Sequence, residues 1–423
     1  MTACSLAPPL AAGPVKTEVV RTGNGYMLLR GGEPYVVRGA GMVTDDIARF
    51  AAHGGNSIRT WTTDSRIQDI GKLLDQAQRH RVTVALGLPM KAERYGFDYD
   101  DPVAVAAQRE SLRDEILRYR DHPALLAWIV GNELDLGYTN PRVFDAVEDV
   151  ARMIRALDPN HPVTTALAGF HPAVVAEAIA QAPSLDFLSF QLYGSLFSLP
   201  GSIRVAGFSP PFMVTEWGTI GYWEAEKTSW GAPVELTSSE KADVIQQAWR
   251  EVLGDFPGQL IGSYVFFWGQ KQERTPTWFG LLLERGEETE TIDLLHVAWT
   301  GAPAANRAPR VNALHLDGRG SRDSVTLVTG RTYEARFDVV DPDGDPLRYR
   351  WEVKPESDAT QGGGDFEAPV SNIGGLLGNA AAPTTTIAVR EPGQYRLFAY
   401  AFDDHGHAAH ANIPFLVEPE DAS

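Results

Sequence analysis

His122-Pro123-Ala124-Leu125-Leu126-Ala127-Trp128-Ile129-Val130-Gly131-Asn132-Glu133 is a short, almost wholly apolar run that stops abruptly at a glycine and two polar residues. It is bounded by turn formers, shorter than a typical helix and shows no polar–apolar alternation. That combination predicts a strand buried on both faces, as in a parallel sheet. Runs of the same kind recur at residues 36–40, 56–60, 82–88, 163–167, 187–192, 212–215 and 261–268, each fenced by Gly, Pro or Asn. Helical patterns lie between them. Asn140-Pro141 supplies a cap and a first-turn proline ahead of Phe144, Val147, Val150, Ile154 and Leu157. Thr237 and Glu240 form a capping box ahead of Ile245, Ala248, Trp249 and Val252. Leu112, Ile116 and Tyr119 predict a helix over 102–121, and Ile67, Ile70, Leu73 and Leu74 another. Eight strands alternating with helices over about 280 residues predict an α/β fold, a (β/α)8 TIM barrel. The rival is a doubly wound open sheet, which the lack of a Gly-x-Gly-x-x-Gly turn after the first strand disfavours.

Outside the barrel the pattern changes. Residues 17–38 read as a hairpin, with Tyr26–Arg30 turning at Gly31-Gly32 into Tyr35-Val36-Val37. Residues 1–16 read as a poorly ordered lead without an apolar signal core. Within it Thr2-Ala3-Cys4-Ser5 resembles the end of a bacterial lipoprotein signal, which implies a lipid anchor on Cys4; the alternative is a free cysteine in a tail. Residues 301–310, rich in Ala and Pro, read as a linker. Beyond it lie short candidate strands at 313–316, 324–328, 333–340, 347–353, 384–389, 395–402 and 411–417, with a Gly/Ala-rich loop at 357–382. They predict an immunoglobulin-like β-sandwich. The expected domains are therefore a lead (1–16), a barrel with its hairpin (17–300), a linker (301–310) and a sandwich (311–420).

Composition narrows the function. The 423 residues are 43% hydrophobic and 22% charged, which is ordinary globular chemistry. A net charge of −18 repels a phosphate backbone and argues against a nucleic-acid partner. The longest apolar runs, at 124–130 and 264–268, fall far short of the roughly 20 residues that a membrane span needs. One cysteine rules out an intrachain disulfide and a cysteine metal cluster. Ten tryptophans are many, and their flat faces suit the C–H faces of sugars.

A parallel barrel places its active site at the carboxyl ends of its strands. The second strand ends Arg59-Thr60-Trp61, the fourth Gly131-Asn132-Glu133, the sixth Gln191-Leu192-Tyr193, the seventh Thr215-Glu216-Trp217 and the eighth Trp268-Gly269-Gln270. Two carboxyls, Glu133 and Glu216, then share one bowl with an arginine, a tyrosine and several indoles. Such a pair can break a glycosidic bond, one carboxyl protonating the leaving oxygen and the other attacking the anomeric carbon. Their repulsion and the nearby arginine separate the two roles.

The run 122–133 resembles the Asn-Glu motif of clan A glycoside hydrolases, and Val214-Thr215-Glu216-Trp217-Gly218 their nucleophile motif. Asn24-Gly25-Tyr26, Arg38-Gly39-Ala40-Gly41 and Gly55-Asn56-Ser57-Ile58-Arg59 are most similar to the catalytic barrel of glycoside hydrolase family 2. The resemblance covers about residues 20–300. It implies that Glu133 is the general acid/base and Glu216 the nucleophile, in a retaining mechanism with carboxyls roughly 5 Å apart. It implies that Asn132 bonds the sugar 2-hydroxyl, that Arg59 and Tyr193 hold Glu216, and that Trp268 floors the central subsite. Trp61, Gln191, Trp217 and Gln270 complete the expected substrate-binding set. Two departures stand out. No jelly-roll pattern precedes the barrel, and Gln191 sits where several relatives carry asparagine.

Weaker signals remain. Tyr95, Phe97, Tyr99, Trp223, Trp230 and Trp278 fall in strand-end loops, and about two of them are expected to meet sugar. Asp341, Asp343 and Asp345 have the spacing of cation ligands but lack the glutamate that closes a calcium loop, so they read as the turn of a polycystic-kidney-disease-like sandwich, which this region resembles. His405, His407 and His410 read as a solvated strand edge, with a zinc site as the alternative. The expectation is a retaining hydrolase of β-linked glucan or related poly- or oligosaccharide, outside the cytoplasm of a bacterial-type cell, needing no cofactor and no metal. The rivals are a transglycosylase using the same glutamates and a non-catalytic carbohydrate-binding protein.

Overall fold

The computed structural model describes residues 11–43, 46–360 and 362–420, so Cys4 and its lipid-anchor reading lie outside the described residues. The chain divides into two compact units. One runs to Trp217 and takes in Arg250–Phe266; the other comprises Gly218–Trp249 and the chain from Phe267 onward.

The first unit opens with three antiparallel strands, β1 (Thr17–Thr22), β2 (Gly25–Arg30) and β3 (Glu33–Pro34). Both turns are two residues long, Gly23-Asn24 and Gly31-Gly32. The second is the expected turn, but the strand after it is Glu33–Pro34 rather than residues 35–37, and the first adds a strand that the hairpin reading lacked. Next in chain order come β4 (Gly39–Gly41), α1 (Ile47–Ala52), β5 (Ser57–Arg59), α2 (Ile70–Arg79), β6 (Thr83–Leu88), α3 (Pro102–Tyr119), β7 (Leu125–Asn132), α4 (Arg142–Leu157), β8 (Val163–Leu167), α5 (Pro172–Gln181), β9 (Leu188–Leu192), α6 (Leu199–Ala206), β10 (Phe212–Trp217), α7 (Ser238–Gln247), β11 (Leu260–Val265) and α8 (Glu290–Thr300), of which α7 and α8 belong to the second unit. The strands β4 to β11 close into an eight-stranded parallel barrel in chain order, with β11 pairing β4. Side chains cap α3 and α7, whereas α4 starts at Arg142 with Pro141 as its cap and no side-chain cap bond, one residue later than the Asn140-Pro141 reading placed it. Asp101 accepts from the N–H groups of Val103 and Ala104 ahead of α3, and Thr237 with Glu240 makes the full capping box on α7.

Leu28 on β2 packs with Val37, Leu126, Phe187, Met213, Ile261 and Tyr264. Most of these stand at or near strand starts, so the three-stranded sheet plugs the amino end of the barrel. The plug is bonded in place: Tyr26 N–H donates to Gly258 O (2.5 Å) and Thr17 N–H to Asn160 O (2.7 Å). Gly25 has φ +123°, and a Cβ there would meet the Gly258 carbonyl at 2.2 Å, so only glycine fits. The opposite end is left for chemistry.

The second unit holds a sandwich of β12 (Arg310–Leu316), β13 (Val325–Val328), β14 (Tyr333–Val340), β15 (Arg348–Pro355), β16 (Thr384–Ile387), β17 (Gly393–Phe402) and β18 (Ala408–Glu418). Its sheets run β12-β14-β16 and β13-β18-β17-β15. Leu316, Phe337, Trp351, Val353, Leu397, Ile413 and Phe415 form the core between them. The long segments after β10 and β11, with α7 and α8, group with this sandwich. A buried polar knot binds them. Lys241 Nζ donates to Glu235 Oε1 (2.5 Å) and Thr277 O (2.5 Å), while Asn412 Nδ2 of β18 donates to Glu235 Oε2 (2.6 Å). Residues 301–310 are also tied down, through Ala308 N–H to Asp293 Oδ2 (2.7 Å) and Arg310 to Asp243 and Glu290.

Candidate active site

Each candidate carboxyl follows an irregularity in its strand. Along β7, Ile129 pairs Thr164 and Asn132 pairs Ala166, so β7 uses one residue more than β8 over that stretch. Gly131 (φ +75°) and Glu133 (φ +47°) take up the left-handed backbone that results. Glycine does so freely, whereas a glutamate there is uncommon. Along β10, Val214 pairs Phe190 and Glu216 pairs Gln191, again one residue too many. Bulges of this kind re-aim the side chains that follow them.

Glu216 is 5% exposed and ringed by donors. Its Oε1 accepts from Arg59 Nη1 and from Trp61 Nε1 (2.7 Å), and its Oε2 accepts from Tyr193 OH (2.8 Å). Arg59 is fully buried and also donates to Thr215 O (3.3 Å). Phe266 braces the ring edges of Trp61 and Tyr193, each with centroids 5.8 Å away. Among the described residues, Tyr193 is the one donor to Oε2.

Asn132 is oriented by two donors. Arg59 Nη2 and Gln191 Nε2 (2.7 Å) both bond its Oδ1. With its oxygen so engaged, the amide offers its nitrogen as a donor. Gln191 is 4% exposed, and its own Oε1 is buried without a donor among the described residues.

Glu133 is held by its backbone. Its N–H donates to Ala166 O (2.9 Å), and its carbonyl accepts from Leu136 N–H (3.1 Å) and Arg94 Nη1 (3.2 Å). Its carboxyl is pushed up to about 8, first by burial and then by the negative charge of Glu216; Arg94 and Arg59 oppose the rise, and Asp135 adds to it. The group therefore carries its proton at neutral pH.

The first unit thus brings together Arg59, Trp61, Asn132, Glu133, Gln191, Tyr193 and Glu216, with Trp217 buried at the end of β10. Trp268 and Gln270 fall in the second unit, where Trp268 is fully buried and Gln270 Nε2 donates to Pro276 O (2.9 Å). Among the loop aromatics, Tyr95 (61%) and Trp223 (48%) are exposed, while Tyr99 and Trp278 are buried. The sequence reading missed Arg94 and Phe266. Arg94 also stacks on Tyr95, its Cζ 4.8 Å from the ring centroid. No motif marks Arg94; only its place after a barrel strand hints at it. The histidines are corrected: His410 is 1% exposed, and His407 Nδ1 is bonded to Asp403 Oδ2 (2.8 Å), so neither lies on a solvated edge.

Comparison with known proteins fits this geometry. Residues 41–198 match the family described as glycosyl hydrolases family 2, TIM barrel domain. A probable mannan endo-1,4-beta-mannosidase A-2 of Aspergillus terreus is 26% identical over 177 residues, 34% of this chain and 44% of the relative. Mannan endo-1,4-beta-mannosidase F of Aspergillus clavatus is 32% identical over 93 residues, 18% of this chain and 21% of the relative. Among solved structures, Bacteroides uniformis beta-glucuronidase 2 superposes with TM-score 0.53 at 16% identity, over 96% of this chain and 48% of that one. A putative beta-galactosidase from Bacteroides fragilis gives 0.52 at 12%, over 98% and 59%. At these identities the structural likeness establishes the fold, and the chain spans less than two thirds of each relative.

Proposed function

We propose, starting from a barrel that matches the family 2 glycosyl hydrolase domain, that this chain is a retaining glycoside hydrolase of β-linked polysaccharide or oligosaccharide. One observation carries the reading: a carboxyl surrounded by three donors shares a bowl with a second carboxyl kept protonated by burial and by the first one's charge. Glu133 gives its proton to the leaving oxygen as Glu216 Oε2 attacks the anomeric carbon, forming a glycosyl ester. Esterification removes the charge of Glu216, which was holding the proton on Glu133. Glu133 then becomes a competent base and takes a proton from water, which releases the sugar. Two carboxyl groups suffice for both steps.

We assign Asn132 Nδ2 to the sugar 2-hydroxyl. Tyr95, exposed beside the arginine that holds the Glu133 backbone, suits the leaving-group side. Glucan and mannan are the two backbones to try first: glucan as the sequence suggests, mannan because the curated relatives bear mannanase names. These sugars differ at C2, where Asn132 acts. A polymeric substrate and the lipoprotein-like Thr2–Ser5 stretch favour an extracytoplasmic location.

The test is a mass-spectrometric product screen on β-1,2-, β-1,3-, β-1,4- and β-1,6-linked gluco- and manno-oligosaccharides, beside a Glu216→Gln control. Shorter products from the parent alone support the hydrolase. Products longer than the input replace it with a transglycosylase. Binding without any product makes it a carbohydrate-binding protein.

A further inference from the structure

The DPDGDP turn at residues 341–346 reads differently once the chain is folded. Asp341 and Asp345 meet Asp403, from the turn between β17 and β18, and one carboxylate oxygen from each lies within 4.8 Å of the other two. Asp341 is 9% exposed and Asp403 2%. Three carboxylates this close repel strongly, and more so away from water. Local bonds absorb part of that charge. Asp341 Oδ1 accepts from the N–H groups of Asp343 (2.9 Å) and Asp345 (3.0 Å). Asp403 Oδ1 accepts from His405 N–H and His407 N–H, both at 2.8 Å, and its Oδ2 faces His407 Nδ1 at 2.8 Å. Asp345 Oδ2 accepts from Asn306 Nδ2 (2.6 Å), with His405 Nε2 3.7 Å away. Asp343, in the same turn, is matched by Arg307 at 2.8 Å.

Two buried oxygens are left over. Asp341 Oδ2 and Asn306 Oδ1 have no donor among the described residues. The Asn306 amide is already anchored on Asp345, which keeps its oxygen at the same cluster. A nine-tenths buried carboxylate with an oxygen facing no donor is costly, and native structures retain such a group where water or an ion completes it.

We propose that Asp341, Asp345, Asp403 and the side-chain carbonyl of Asn306 hold one divalent cation, and that this cation is calcium. The donors are all oxygen, which suits a hard ion rather than zinc. Magnesium demands a near-regular octahedron, whereas calcium accepts the irregular set that three separate chain segments supply. Those segments are the stretch before β12, the turn after β14 and the turn after β17. The last is bonded onward to the approach to α8, through Glu288 N–H to Gly406 O (2.9 Å) and Ala408 N–H to Glu288 O (2.8 Å). The ion thus fastens parts of the second unit to one another. The site is structural, and it is independent of the reading of the two glutamates. Spacing along the chain concealed it because the third carboxylate comes from Asp403 rather than from a glutamate of the same loop.

The test uses the full chain, stripped with a chelator and returned to metal-free buffer. Calcium chloride alone is titrated in by calorimetry, and thermal unfolding is followed across the same concentrations. The expected result is one ion per chain and a Tm that climbs with the logarithm of calcium concentration above the Kd. Asp341→Asn should abolish both responses. Without calcium it should melt no lower than the stripped parent, since one of three repelling charges is gone. Asp343→Asn should keep the calcium response. If Asp341→Asn does not fold, the parent's own titration decides. No heat and no Tm change in the parent up to about 10 mM calcium, beyond the weakest calcium modules, overturns the proposal. So does an undiminished response in Asp341→Asn, or a response to magnesium or zinc chloride without one to calcium.

Discussion

Glu133 and Glu216 end strands of one barrel, and each follows a one-residue irregularity, yet their surroundings are opposed. Glu216 stays within its strand, with both oxygens engaged by Arg59, Trp61 and Tyr193. Glu133 sits at φ +47° and is fastened through its main chain to Ala166, Leu136 and Arg94, while burial and the charge of Glu216 keep its proton on. The contrast teaches that the barrel separates two identical side chains by where it bonds them. The one held by its carboxyl is suited to attack; the one held by its backbone is suited to carry a proton.

Breaking each side in turn should give unequal losses. Glu216→Gln should lower kcat by about 10⁴-fold or more, since no nucleophile remains. Glu133→Gln should cost about 10²- to 10⁴-fold on natural sugars, the usual span of acid–base assistance, and far less on an aryl glycoside whose leaving group needs no proton. Steady-state kinetics on both substrates measure the split. Equal losses on both would erase the distinction.

The proton assignment sharpens it further. In the parent, kcat/KM should fall as pH rises through about 8, where Glu133 loses its proton. In Glu216→Gln the carboxyl-13C titration of Glu133 should move to lower pH, because one cause of its rise is gone. Stability carries the same sign. The folded state binds this proton more tightly than the unfolded chain, so its contribution is full below the ordinary glutamate range and is lost as pH climbs toward 8. Glu133→Gln should flatten that part of a Tm-against-pH curve.

Smaller effects probe the supports. Gln191→Met keeps the bulk but removes the second donor on Asn132, and should lower kcat roughly three- to tenfold with the fold intact, the worth of one neutral hydrogen bond. Gln191→Asn should recover less than the parent's rate, being too short to keep that 2.7 Å bond without a shift. Gly41→Ala should do least, a few-fold: its Cβ would lie 2.6 Å from the Trp61 ring and push the indole away from Glu216. A drop in tryptophan-emission change on sugar binding reads that displacement.

Much of the fold was legible in the sequence because barrel strands announce themselves as short apolar runs, and their last residues mark the candidate site. Gly131-Asn132-Glu133 and Thr215-Glu216-Trp217 needed only that rule. The irregularities that aim them were not legible, since a bulge is a property of two paired strands, and Val130-Gly131 looks like any strand end. Arg94 was hidden because it acts on Glu133 from a loop with no motif. The closely spaced histidines misled because spacing along the chain does not say whether another segment covers a residue; Ser238 Oγ accepts from the His410 N–H at 3.0 Å. The grouping of α7 and α8 with the sandwich was equally invisible, as it rests on the knot of Glu235, Lys241, Thr277 and Asn412, drawn from four separate stretches.

The most direct test of the division of labour is to trap the covalent intermediate. The protein is incubated with the activated 2-deoxy-2-fluoro analogue of whichever sugar it hydrolyses, and its intact mass and proteolytic peptides are measured. One glycosyl adduct, on the peptide bearing Glu216 and absent from Glu216→Gln, is the predicted result. An adduct on Glu133, or turnover of the parent sugar with inverted anomeric configuration and no adduct, would contradict the account.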